Sequence, residues 1–206
     1  IGTVLLIILA LSSPIGFVGP AEAQPKQGGK LILACASEPA TLLSAITTGF
    51  STFFSVGQCF VSLVQFDFDF NPRPWLAASW TISPDGLTYT FYLVRNATWH
   101  DGKPVTSADV KFTVENVSLP YNSWAMAVFS YIRQIETPDD YTVVFRLKSV
   151  CPIFMLGFGP RRFTVVPKHL YAGTDILKNE YNWKPIGCGP FKFKEYVKGD
   201  HITVVR

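Results

Sequence analysis

The sequence predicts an α+β fold in which antiparallel hairpins alternate with short helices. Two segments alternate apolar and polar residues around Pro-Asp turns, the period expected of half-buried strands. Between them, Thr106 and Asp109 supply the hydroxyl and carboxylate that open a helix. Composition agrees: of 206 residues, 48% are hydrophobic, 15% aromatic and only 16% charged, which describes a chain with a sizeable core, neither disordered tail nor coiled coil. The net charge of +3 arises from 18 basic and 15 acidic side chains scattered without runs. That excludes a nucleic-acid stripe and a polybasic membrane patch.

The first segment reads as a targeting signal. Residues 4–11 are continuously apolar, Ser12, Ser13, Pro14 and Gly16 break the run, and Ala21-Glu22-Ala23 is a small-x-small cleavage site. The run is too short to span a membrane. With no Met and no basic start, the sequence is expected to begin inside the signal, so residues 1–23 would be removed on export. No cysteine follows the site, which argues against a lipid anchor.

After a polar linker, Lys30–Ala36 is an apolar run expected to form a buried strand that Pro39 stops. From Ser51 to Gln65 apolar residues recur at three- and four-residue steps, predicting one helix with Ser51 or Thr52 as N-cap. Ser79–Ile82 and Leu87–Val94 flank Ser83-Pro84-Asp85-Gly86, a hairpin turn in which Gly86 takes φ > 0. Thr106–Asp109 caps a helix with Val110, Val114 and Val117 as its inner stripe. A second hairpin joins Tyr131–Glu136 to Tyr141–Leu147 through Thr137–Asp140. Cys151–Phe158 and Pro167–Ala172 are short helices, the second with Pro167 at N1 and Gly173 beyond its end. Strands at Phe191–Lys194 and Ile202–Val204 around Lys198-Gly199-Asp200 close the chain. Trp75, Trp80 and Trp99 are taken as packing.

Chemistry-bearing motifs are few. There is no nucleophile elbow, no phosphate-cradling Gly-rich loop and no His-Glu-x-x-His. His100-Asp101-Gly102 reads either as a histidine oriented by a carboxylate or as a turn in which Asp caps and Gly takes φ > 0; the turn is the favoured reading. Cys35, Cys59, Cys151 and Cys188 form no Cys-x-x-Cys pair and are not spaced with His100, His169 and His201 as zinc ligands. No cofactor and no metal are expected.

Five stretches follow one another at fixed spacing: VQFDFDFNPRPWLAASW (64–80), SPDGLTYTF (83–91), WHDGKPVTSADVKFT (99–113), PIGCGPFKF (185–193) and GDHITV (199–204). Together they resemble the family-5 extracellular solute-binding proteins of ABC importers, which include dipeptide, oligopeptide and nickel binders. The resemblance covers nearly all of residues 30–206. It departs at Cys188, where the family has Thr, at Leu43-Ser44, where it often has Asp-Pro, and at Val94, one extra residue before the usual Arg.

The resemblance implies a periplasmic binding protein-like fold (type II, cluster C-like), a two-lobed receptor closing on a small ligand. Residues 24–60 would be the first segment of lobe I, 61–183 an inserted subdomain and 184–206 the return to lobe I, with the second main lobe missing from this length of chain. It implies a periplasmic, non-catalytic, monomeric substrate-binding subunit that takes a peptide or similar small solute, docks ABC permease subunits at the inner membrane and binds no nucleic acid. A secreted hydrolase using His100 and Asp101, or a chemoreceptor-coupled sensor, is the alternative.

The resemblance implies that the loop after the first strand faces the cleft, making Ser37, Glu38 and Pro39 candidate ligand contacts. It also implies that Arg161 and Arg162 lie in a segment similar to the family's arginine-bearing, cleft-facing one, where planar forks suit carboxylates; Trp124 is a further candidate. Glu38 would pair with an α-amino group. Trp124 and the aromatics near it, Tyr121 and Phe129, either line the cleft or fill the subdomain core, the core being the favoured reading. The four cysteines allow three pairings or free buried thiols; the resemblance also places Cys35 and Cys188 in one lobe, where a disulfide would join them if the two elements are neighbours.

Overall fold

The computed structural model describes residues 28–206, so the expected signal segment lies outside the described residues. Residues 28–34 form a separate unit from 35–206. Lys30–Ala36 is not a strand, and Leu31, Ile32 and Leu33 are exposed. A run apolar on every side is held as a strand only by sheet partners on both edges, and none of the described strands pairs with it.

The centre of the larger unit is an antiparallel sheet of four strands. β3 (Ala77–Ile82) pairs β4 (Thr88–Leu93), β4 pairs β6 (Thr142–Leu147), and β6 pairs β5 (Ile132–Asp139). The two-residue period works as expected on β4: Tyr89, Phe91 and Leu93 are buried while Thr88, Thr90 and Tyr92 are not. Gly86 turns the first hairpin at φ +69°, with its N–H donated to the Ser83 carbonyl. The second turn is tighter than expected. β5 runs to Asp139, and a bulge between Glu136 and Asp139 absorbs Thr137 and Pro138.

Six phenylalanines, Phe91 of β4 and Phe145 of β6 among them, cluster at this sheet. Phe158 lies at their middle, its ring centroid 4.9–5.5 Å from those of Phe91, Phe129, Phe145, Phe154 and Phe163. With Trp99, Val110, Val114 and Val143 they form a first core.

Helix α1 (Phe50–Val56) ends well short of the expected Gln65. Gly57–Cys59 is a 3₁₀ turn, and Val64–Phe66 is strand β1, paired with β2 (Pro72–Pro74), which sequence reasoning missed. The helix yields because main-chain partners arrive from far along the chain. The Cys59 carbonyl accepts from the Gly189 N–H at 2.9 Å, and the Gln58 carbonyl accepts from Phe191 N–H at 3.2 Å. Only glycine tolerates that approach: a Cβ at 187 would lie 1.8 Å from the Cys59 oxygen, and one at 189 would lie 2.4 Å from the Gln58 oxygen. The expected N-cap is not used either, since Gly49 precedes α1 without a side-chain cap.

Thr106 and Asp109 form the expected capping box at the start of α2 (Ser107–Phe112). Asp109 also accepts from the Lys168 N–H at 2.8 Å, and Thr113 accepts from the Val166 N–H at 3.0 Å, fixing residues 166–168 to the helix. The chain continues as a π-helix (Thr113–Ser118) and one α-turn, α3 (Leu119–Tyr121). All three expected valines are buried, but the wider π-turns re-aim the last of them. Val110 and Val114 enter the first core, whereas Phe112 and Val117 enter a second.

That second core joins Leu42, Leu43, Val56, Cys59 and Phe60 to Val166, Tyr171 and Ile176, with Phe193, Tyr196, Ile202 and Val204 packed on it. The last four belong to the hairpin β7 (Lys192–Val197) and β8 (His201–Val205), turned by Gly199 at φ +76°. Helix α4 (Ser123–Phe129) and the short α5 (Lys168–Tyr171) complete the unit; Pro167 is the N-cap of α5, not its first residue, and Gly173 follows at φ +78°. Cys151–Phe158 is helical only over the 3₁₀ stretch Met155–Phe158.

All four cysteines are free thiols. Cys35 is exposed, whereas Cys188 packs against the first core with its thiol towards the Val61 backbone, so the expected bridge does not form. Among the described residues no helix is long and apolar enough to cross a membrane.

Candidate functional site

Arg161 and Arg162 are consecutive residues in the turn after Gly159, whose carbonyl accepts from the Arg162 and Phe163 N–H groups. Each guanidinium lies over aromatic rings. Arg162 sits 4.3 Å from the Trp124 ring centroid. Arg161 sits 5.7 Å from that of Phe50 and 5.8 Å from that of Phe53. Cation–π attraction holds both side chains in place. The rings are only partly covered: Trp124 is 50% exposed and Phe50 58%. Phe50 is also stacked on Phe54, with centroids 5.5 Å apart.

One buried side chain aligns the two platforms. Asn122 is the N-cap of α4, its Oδ1 accepting from the N–H groups of Trp124 at 3.1 Å and Ala125 at 3.2 Å. Its Nδ2 donates to the Ala45 carbonyl at 3.2 Å, in the 3₁₀ turn Ser44–Ile46 that precedes α1. The amide therefore fixes the start of α4 to the start of α1. Phe50, Phe53 and Asn122 were not singled out from the sequence, although Asn followed by Ser-Trp carries a legible N-cap signal. Of the residues near Trp124, Phe129 is in the core as expected and Tyr121 is exposed.

The other candidates lie elsewhere. Glu38 accepts from the Tyr196 hydroxyl at 2.7 Å and from the Gly199 N–H at 2.8 Å, bonds that hold its carboxyl below the usual carboxylate range. It therefore fastens the chain to the β7–β8 turn. Ser37 beside it is exposed and Pro39 is buried. The resemblance implied that these three and the arginines face one cleft; among the described residues no hydrogen bond or ion pair links the two groups.

His100 and Asp101 do not form a catalytic pair. His100 Nε2 is 3.0 Å from the Gly189 carbonyl, and its Nδ1 accepts from the Gly187 N–H at 3.4 Å. A carbonyl can only accept, so Nε2 carries the proton and the ring is neutral. Partial burial pushes the His100 pKa down, against the opposing pull of the Gly189 carbonyl. Asp101 instead meets His169 Nε2 at 2.6 Å. Partial burial opposes its ionisation, but His169 and the Lys103 N–H outweigh burial and keep its carboxyl below the ordinary range. Chain neighbours thus point to different partners. No cluster of three or more potential metal ligands occurs among the described residues.

Residues 71–206 match the profile described as bacterial extracellular solute-binding proteins, family 5 Middle. The chain is 31% identical over 186 residues to the oligopeptide-binding protein AppA of Bacillus subtilis, covering 88% of this chain and 34% of AppA. It is 41% identical over 138 residues to a Brucella ovis protein whose name assigns it, provisionally, to peptide binding for an ABC transporter, covering 63% of this chain and 25% of that one. Its fold is similar to that of AppA solved with a nonapeptide (TM-score 0.78, 30% identity, 88% of this chain and 37% of AppA). It is also similar to Campylobacter jejuni NikZ solved with Ni(L-His) (TM-score 0.72, 31% identity, 81% of this chain and 33% of NikZ). The chain spans about a quarter to a third of the length of the curated relatives it matches.

Proposed function

The chain belongs to the bacterial extracellular solute-binding proteins of family 5, and from that premise we propose that it is part of the substrate-binding subunit of an ABC importer. It captures peptides or a similar small solute in the periplasm and hands them to an inner-membrane permease, as a receptor and not as a catalyst. The observation that carries this is the pair of arginine–aromatic platforms, two half-open faces with pinned cations on an otherwise well-packed body. Immobilised flat surfaces bind a solute without first having to order themselves.

The division into lobe I (24–60 and 184–206) and inserted subdomain (61–183) is proposed likewise. It is supported by two cores, one drawn from residues 61–165, the other joining 42–60 to β7 and β8. Residues 166–176 pack into the second core, which would move the subdomain's end forward to about Val165. AppA carries the word oligopeptide in its name, and this chain takes peptides on the strength of that likeness.

The test is thermal melting of the full product of the gene with mixed di- to pentapeptides. Ligand at about a hundred times Kd adds about 2.7 kcal/mol and should raise Tm by several degrees. Trp124→Ala should reduce the gain. No gain with any peptide would overturn the reading.

A further inference from the structure

The surface carrying the two platforms is built from three chain segments, and their charges do not balance. Residues 39–66, which hold Phe50 and Phe53, contain no Asp, Glu, Lys or Arg. Residues 116–132, which hold Asn122 and Trp124, contain none either. Residues 149–166 contain two charged residues, Arg161 and Arg162. Elsewhere Arg73 pairs with Asp67 at 2.8 Å and Arg146 with Glu136 at 2.6 Å, whereas Arg95, 5.2 Å from the Tyr141 ring centroid, and Arg133 have no carboxylate within 4.0 Å among the described residues. Among the described residues neither Arg161 nor Arg162 has a carboxylate within 4.0 Å, and no protein acceptor takes a hydrogen bond from either guanidinium.

A guanidinium stacked on a ring keeps its N–H donors at its rim, directed away from the ring normal. Two such groups on consecutive residues leave two charges and up to ten N–H donors without a protein partner. The aromatic faces fix where those donors are, which a solvated surface arginine does not.

Resting on the solute-binding reading above, we propose that the solute is acidic and places two carboxylates on this wall, one on Arg161 and one on Arg162. A dianion balances the wall's charge, and each planar carboxylate matches one planar fork. A peptide with a single C-terminal carboxylate leaves one arginine unanswered. Two sources share this chemistry: a short peptide carrying Asp or Glu, and a free dicarboxylic acid.

The test is calorimetry on the full product of the gene with Ala-Ala, Ala-Glu and glutarate. Ala-Glu or glutarate should bind at least tenfold more tightly than Ala-Ala. Arg161→Gln and Arg162→Gln should each erode that preference about tenfold or more, the usual scale of a charge-assisted pair. Their binding of Ala-Ala should fall less, and both should melt like the parent because neither side chain is buried. Ala-Glu above glutarate identifies the peptide source, and the reverse identifies the free acid. Equal affinity for Ala-Ala and Ala-Glu overturns this inference while leaving the receptor reading intact. Binding of none of the three, when mixed peptides do raise Tm, also overturns it; failure of mixed peptides as well overturns both.

Discussion

Gly187→Ala should destabilise the protein far more than its single added methyl suggests. The new Cβ would lie 1.8 Å from the Cys59 oxygen and 2.7 Å from its carbonyl carbon. Both are main-chain atoms, so no rotamer relieves the overlap; the two backbone segments must part by about 1.5 Å to reach van der Waals contact. That movement stretches three hydrogen bonds: Gly189 N–H to Cys59 at 2.9 Å, Phe191 N–H to Gln58 at 3.2 Å and His100 N–H to the Gly187 carbonyl at 2.8 Å. At about 1 kcal/mol each these are worth about 3 kcal/mol, and overpacking adds about 1–3 kcal/mol. The total of about 4–6 kcal/mol lowers Tm by roughly 8–24 °C for a unit of this size. Gly102→Ala is the control. Its Cβ meets nothing within 4 Å, and the cost comes only from φ +90°, about 1 kcal/mol and a few degrees. Circular dichroism melting compares the two. If Gly187→Ala shifts Tm no more than Gly102→Ala, the close-approach reasoning is wrong.

Three further outcomes are expected. Phe158→Ala, at a fully buried ring among five others, should cost about 3–5 kcal/mol in urea unfolding; a loss below 1 kcal/mol would show that the cluster collapses to fill the gap. Because His100 is neutral when folded and its pKa lies below the free value of about 6.5, its contribution is complete above that pH and is lost as pH falls through the folded value. Melting between pH 7 and 5 should therefore fall more steeply in the parent than in His100→Gln, and parallel curves would contradict the assignment. Titration with a thiol reagent should show one fast native thiol, exposed Cys35, and four after denaturation. Burial pushes Cys59 up to about 12 and holds it unreactive; two thiols missing after denaturation would reveal a bridge.

What the sequence made legible was local. The β3–β4 hairpin follows from alternation around a Pro-Asp-Gly turn, and the start of α2 follows from Thr106 and Asp109, because each signal lies within a few residues of its effect. The shortened α1 was not legible. Its apolar spacing continues to Val64, and what stops it is a backbone about 130 residues away, announced only by glycines at 187 and 189. The exposed run at Lys30–Ala36 failed for the related reason that a buried strand is a property of its neighbours. The site was half legible. Arg161, Arg162 and Trp124 stood out by residue type, but their pairing with Trp124, Phe50 and Phe53 crosses tens of residues or more, and Asn122 is ordinary until both of its contacts are seen.

The helix running from Ser107 through the π-turns contributes Val110 and Val114 to one apolar interior and Phe112 and Val117 to the other. It is a party wall. Neither interior can be opened to water without stripping one side of that helix, and a helix packed on one side only has lost most of what keeps it wound. The two halves should therefore melt as one cooperative transition, and the backbone amides of residues 110–117 should be among the last to exchange with solvent.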